Sequence, residues 1–238
     1  SDASRGELNA DNDDFEFVEL TNTGSVPIDL GGLQLVQTDV VGDLQGIHFT
    51  FAAGALNPDE RIVVVNHRTA FVSRYGADVR IAAGDDGMGG NNGEYGNQLA
   101  NSGERMTLLD PVGITLAAFN FDDGPPWPQR ADGDGSSLEL IDPLGDSSDP
   151  ANWRSSIEYG GSPGSEGIGN AGSVVVNEVL TSTPGPVDDA IEFYNPTGAP
   201  INMGGMWLSD QRNNLDRYVI PATTIVPAHG YLMLEENA

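Results

Sequence analysis

Apolar and polar residues alternate along this chain in short runs and almost never recur at helical spacing. Val18 and Leu20 share one face of an extended run while Glu19 points away. Ile191 and Phe193 do the same around Glu192. Such runs predict strands near 15–21, 33–37, 47–51, 61–66, 105–109, 114–121, 137–141, 174–181, 190–194, 206–209, 217–221 and 230–235. Pro27-Ile28 and Pro200-Ile201 start two further short strands, each ended by paired glycines. One short helix is predicted near 68–75, where Phe71 and Tyr75 stand four apart on one face and Gly76 supplies the stop. Many short strands punctuated by Gly, Pro, Asn and Asp predict an all-β sandwich or barrel.

The pattern is also repeated. VELTNTGSVPIDLGGLQL at 18–35 matches IEFYNPTGAPINMGGMWL at 191–208 with an offset of 173. The match resumes with an offset of 169, placing Phe49 on Tyr218, Phe51 on Ile220, Pro58 on Pro227 and Ile62–Val65 on Tyr231–Leu234. The first copy runs about a hundred residues past Val65, whereas the second has four residues after Leu234, so the second module is expected to be partial. The expected division is a β-sandwich module over 1–160, a Gly/Ser linker over 161–173 and a partial module over 174–238.

Charge narrows the partners. The net charge is −26 and all ten cations are arginine. Residues 1–166 carry 28 acids and 8 arginines, and the remainder carries 8 acids and 2 arginines, so both modules are acidic. Such a surface repels phosphate backbones and excludes nucleic acid as a partner. It attracts cations and keeps a protein soluble in salt. With neither Cys nor Lys there is no disulfide, thiol nucleophile, Schiff-base lysine or phosphate-loop lysine. No apolar run approaches the roughly 20 residues that span a membrane, so membrane insertion is not expected. The chain opens at Ser1 without an initiator Met, and any leader is expected to be already removed.

In order along the chain, FEFVELTNTGSVPIDLGGLQL, FTFAAGALNPDERIVVV, AFVSRYG, LANSGERMTLLDPVGITL, PPWPQRADGDGSSLELIDP, DPANWRSS and GGSPGSEG resemble the lamin-tail domain family in its bacterial secreted form. VVVNEVLTS, IEFYNPTGAPINMGGMWLSD and YVIPATTIVPAHGYLML resemble only the family's opening. The resemblance implies an immunoglobulin-like β-sandwich, in tandem, in a non-catalytic module of large secreted or surface proteins.

Candidate chemistry is thin. Asp132-Gly133-Asp134-Gly135-Ser136, followed by Glu139, sets oxygen ligands at alternating positions as a calcium loop does, and is alternatively a plain turn into the next strand. Asp122-Asp123 and Asp11-Asn12-Asp13-Asp14 are weaker candidates of the same kind. Gly160-Gly161-Ser162-Pro163-Gly164 matches a nucleophile elbow in letters only, because Pro163 lacks the N–H that an oxyanion hole needs. His48, His67 and His229 do not recur between the copies. Paired carboxylates for hydrolysis abound among 36 acids, but no pair is singled out. Trp127 and Trp153 are packing residues or a platform for sugar, and Trp207, opposite polar Gln34, is an interface residue if exposed.

The expected function is a non-catalytic structural or interaction module, extracellular or on a bacterial cell surface. Its partner would be protein: neighbouring domains of the same polypeptide, or further copies in a fibre built by strand donation. A calcium-stabilised carbohydrate-binding module, meeting polysaccharide, is the alternative. A cation-dependent hydrolase is the third reading.

Overall fold

The computed structural model describes residues 7–8, 10–38, 46–87, 90, 92–132, 135–158, 160–167, 174–181, 189–211 and 217–235. The strands in chain order are β1 (Phe17–Thr21), β2 (Ile28–Asp29), β3 (Gln34–Gln37), β4 (His48–Phe51), β5 (Ala55–Leu56), β6 (Arg61–Val65), β7 (Gly84–Asp85), β8 (Glu104–Leu109), β9 (Thr115–Phe121), β10 (Leu138–Leu140), β11 (Trp153–Ser155), β12 (Val175–Leu180), β13 (Ala190–Tyr194), β14 (Ile201–Asn202), β15 (Trp207–Leu208), β16 (Tyr218–Val219), β17 (Ile225–Val226) and β18 (Tyr231–Glu235). The helix α1 spans Arg68–Tyr75, between β6 and β7. Two compact units result: Ser1–Asp132, Leu138–Ser155 and Ser162–Glu166 form one; Gly133–Ser137, Ser156–Gly161 and Gly167–Ala238 form the other.

In the first unit β1 pairs antiparallel with β6, and β2 with β5. A five-stranded sheet runs β7-β4-β3-β8-β9. Inward residues of both layers, including Val18, Leu35, Ile47, Phe49, Val64 and Met106, form one buried cluster. The outer face of β1 and β6 is covered as well. Val63, Val65 and Phe71 of α1 make a second cluster with Phe17 and Tyr75. The helix starts at His67, whose Nδ1 accepts the Ala70 N–H at 3.2 Å. It stops at Gly76, whose φ of 84° is costly for any residue with a Cβ.

The second unit repeats this layout and stops short of it. β13 pairs with β12 and β18, β14 with β17, and β15 with β16. Phe193, Met203, Met206, Ile220 and Val226 are its buried core. Among the described residues no strand other than β16 is paired with β15, whereas β3 pairs with both β4 and β8. Leu35 is accordingly buried and its counterpart Leu208 only half-buried.

The pairing also corrects the alignment of the last repeated strand. Val18 faces Val64 and Ile191 faces Leu234, so the true offset at β6 and β18 is 170 rather than 169. The extra residue enters between Phe51 and Gly54: the Gly32 N–H meets the Phe51 carbonyl and the Gly205 N–H that of Ile220, but Leu30 meets Gly54 and Met203 meets Thr224. Asp59 and His229, at φ of 62° and 52°, are then equivalent left-handed residues. The prolines at 58 and 227 misled the alignment, since they are not equivalent.

One residue anchors each unit. Asn22 is fully buried; its Nδ2 donates to the Val26 and Leu56 carbonyls, both at 2.8 Å, and its Oδ1 accepts the Gly24 N–H at 2.9 Å. Asn195, equally buried, donates to Ala199 at 2.8 Å and to Val226 and Pro227 at 3.2 and 3.0 Å. Its Oδ1 accepts the Thr197 N–H at 2.9 Å. Removing either amide strands several buried polar groups, each costing about 1–3 kcal/mol. We expect Asn22→Ala to destabilise the first unit by about 3 kcal/mol, read in urea unfolding. Asn195→Ala should instead raise amide exchange in β13 and β18 while sparing β3 and β4.

Candidate functional site

The acidic loops fold mostly by turn chemistry. Asp29, Asp85, Asp122, Asp142, Asp146 and Asp149 each accept the N–H two residues on, at 2.7 to 3.0 Å. Asp110 accepts the Val112 N–H two residues on and the Ile114 N–H four residues on. An aspartate in that position substitutes for a backbone turn, so the aspartate excess has a conformational cause as well as an electrostatic one.

The candidate calcium residues are scattered in their commitments. Asp122 holds the Gly124 N–H, and the carbonyl of Asp123 accepts from Gln129. Asp132 is exposed at the end of a single turn of tight helix over Gln129–Ala131. Asp134 lies outside the described residues. Ser136 donates its hydroxyl to the Ser156 carbonyl at 3.0 Å. Glu139 sits on β10 and pairs with Arg154 at 3.0 Å. Among the described residues no group of three or more His, Asp or Glu side chains stands close enough to hold a metal ion. A shallow open depression adjoins Asp122, lined by Ser102, Glu104, Arg105 and Asn120.

Trp127 is 8% exposed. It packs at 6.1 Å on Trp153, which in turn lies 5.7 Å from Phe119 and donates its indole N–H to Ser147. Its burial matches the packing alternative. Trp207 is half-buried on β15.

Burial raises the pKa of two carboxylates, Glu19 and Glu16. Glu19, outward on β1, is 3.5 Å from Arg61 and accepts the Gly164 N–H. Burial raises its pKa; Gly164 and Arg61 lower it, and neighbouring Glu139 raises it again. Glu139 also accepts the Ser162 hydroxyl at 2.8 Å. These contacts fasten Ser162–Gly164, in the stretch expected to be linker, across the outer face of β1. Residues 168–173 of that stretch lie outside the described residues. Each carboxylate is thus matched to an arginine and a second donor, which suits a clasp and not proton transfer. A second acid shifted upward is Glu16. Burial pushes its carboxyl up to about 6, against the Leu99 N–H at 3.2 Å and the Tyr95 hydroxyl at 3.1 Å that stabilise the charge. Recurrence was the signal for Glu19, since Glu192 repeats it. Glu16 leaves no trace in the sequence, because its partners Tyr95 and Leu99 are about 80 residues away.

Two facing layers, a covered outer face and a repeated strand order define an immunoglobulin-like all-β sandwich. The family description Lamin Tail Domain matches residues 5–123 and 169–238, and the chain belongs to that family. The matches correspond to one fuller copy and one partial copy; residues 124–168, with Trp127, β10 and β11, fall between them. Comparison with curated proteins and with solved structures gave no match. Among the described residues no helix is long and apolar enough to cross a membrane.

Glu16 gives a pH signature of definite sign. The folded protein holds this proton up to about pH 6, above the ordinary glutamate value of 4.5, so ionisation weakens the fold as pH rises through that window. The shift corresponds to at most about 2 kcal/mol, and solvent screening of a partly exposed group leaves about 1 kcal/mol. We expect Glu16→Gln to raise the melting temperature at pH 7.5 and leave it unchanged at pH 4, in paired thermal scans of both proteins.

Proposed function

We propose that this chain is a non-catalytic docking module of a secreted or cell-surface bacterial protein. The sandwich holds loops and strand edges in place for protein partners. The observation that carries this reading is what the two units share. The anchoring asparagine, the turns, the core positions and one outward glutamate recur, whereas no histidine does. That set builds a scaffold and lacks a nucleophile, base and oxyanion donors in one place. The resemblance to bacterial secreted members and the acidity of both units support an extracellular setting.

The finer part of the proposal is strand donation. In the first unit β8 pairs with β3; the second copy is partial, and a strand added beside β15 would restore the equivalent pairing. A synthetic peptide of residues 104–121 is the natural probe, since it is the hairpin that fills the equivalent seat. We expect it to bind the full chain weakly, at about 10–100 µM, with a change in Trp207 fluorescence that Leu208→Arg abolishes. Absence of binding overturns strand donation. Sedimentation of the full chain narrows the source of the strand: self-association supports a fibre, and a monomer at all concentrations assigns the strand to a different protein or to a further part of the same polypeptide.

Calcium is the ion we propose for the acidic loops, supported by their clustered carboxylates. Thermal melting is expected to give a higher midpoint in millimolar calcium than in chelator, as ligand linkage requires. Equal midpoints remove calcium from the account.

A further inference from the structure

Among the described residues no element covers the outer face of the second unit's three-stranded sheet, whereas α1 covers that of the first unit. Cross-strand pairing puts Val175, Tyr194 and Tyr231 in one outward row, Glu178, Glu192 and Met233 in the next, and Leu180, Ala190 and Glu235 in the third. Phe193, Leu232 and Leu234 on the same strands face the core, which fixes the sense of the alternation. Met233 is 56% exposed, and its counterpart Val63, beneath α1, is fully buried. Tyr231 is 56% exposed and lies 4.7 Å from Tyr194, ring to ring, at 32°. An apolar and aromatic face of this extent is uncommon on a sheet without a partner.

The chemistry of the missing cover can be read from the first unit. Glu19 there meets a cation, Arg61, and a backbone N–H from Gly164. Glu192 is the same glutamate, and the residue at Arg61's position is Tyr231. The shared carboxylate has therefore lost its cation and gained an aromatic neighbour. The donor to Glu192 is the neutral Asn177 amide, at 2.6 Å. Glu178 stands directly opposite Glu192, and like charges in that position repel. A guanidinium would answer each of these features. It can bridge Glu178 and Glu192 with planar donors and stack on the Tyr194–Tyr231 pair.

We propose that this face docks an arginine-bearing, otherwise apolar segment of a different protein. With 36 acids against ten arginines, another copy of the chain is electrostatically unsuited to the seat. The inference rests on the reading of the chain as a docking module, and it concerns the sheet face, not the β15 edge.

The test is titration of the full chain with an end-blocked hexapeptide alternating leucine and arginine, at about 0.3 M salt to screen long-range attraction. The control peptide carries citrulline in place of arginine. Saturable binding is expected, weakened about tenfold by citrulline and about five- to tenfold by Glu192→Gln or Tyr231→Ser. Asp78→Asn, an exposed acid on the first unit, should change nothing. Amide-exchange protection of β13 must survive in the two face variants, which separates lost contact from lost fold. No binding, equal binding of the two peptides, or equal weakening by Asp78→Asn overturns the proposal. None of these outcomes affects the hairpin-peptide test at Leu208, which judges the docking reading independently.

Discussion

A buried primary amide holds each unit in register. The chain leaving β1, and again β13, must turn sharply beneath the strands that follow, and the carbonyls at that turn are shut away from water. Only a side chain with both donors and an acceptor can satisfy them together. Asn22 spans the β1–β2 turn and β5 through the Val26 and Leu56 carbonyls, and its own N–H reaches the Glu60 carbonyl. Asn195 repeats the pattern through Ala199, Val226 and the Gly230 carbonyl. Since β5 and β6 are positioned by these bonds, so is the alternation that sends Val64 inward and Val63 outward. A slip of one residue there would exchange the two faces.

That dependence explains what could be read from the chain beforehand. Strands with a clear alternation, such as β1, β8 and β13, stand where the apolar periodicity predicts them, and so does α1, because those signals are local. β5, β7, β11 and β17 escaped because two or three residues carry no period. Asn22 and Asn195 were visible as turn residues, but their burial was not, since it depends on carbonyls up to 34 residues away. His67 illustrates the reverse case. It does not recur between the copies and yet caps a helix through a contact three residues on. The glutamates divide the same way: recurrence marks Glu19 and Glu192, and only the folded chain reveals Glu16.

The two units show how much of a sandwich the repeated half can sustain. The second unit keeps its anchor, its turns and a small core of Phe193, two methionines, Ile220 and Val226. Among the described residues it shows no second layer of support on either side: no further strand is paired with β15 as β8 is with β3, and no helix lies on the outer face as α1 does with Phe71 and Tyr75. The substitutions follow that lack. Val65, fully buried under α1, corresponds to Glu235, and Phe17 to Ala190. Those positions have been made compatible with water, whereas Tyr231 and Met233 have not. A face that sets a tyrosine pair in one row and carboxylates in the next carries the aromatic enrichment of a contact surface.

Electrostatics then separates the roles of the acids. Many aspartates are consumed by turns, where the carboxylate accepts a backbone N–H and its charge is incidental to the fold. A smaller set is matched by arginine: Glu7 with Arg74, Glu60 with Arg80, Glu139 with Arg154, Glu19 with Arg61. With ten arginines for 36 acids, such matching cannot extend over the whole chain, and it is concentrated in the first unit. There the paired acids carry structure: Arg74 lies 3.6 Å above the Phe15 ring while gripping Glu7, and Glu139 and Glu19 clasp Ser162–Gly164 to β1. In the second unit the equivalent of the clasp is a glutamate beside two tyrosines. An acid held at a fixed point of a rigid sheet, next to aromatic surface and without its cation, differs from the diffuse acidity around it. Diffuse charge sets which partners approach; a placed carboxylate decides which side chain stays.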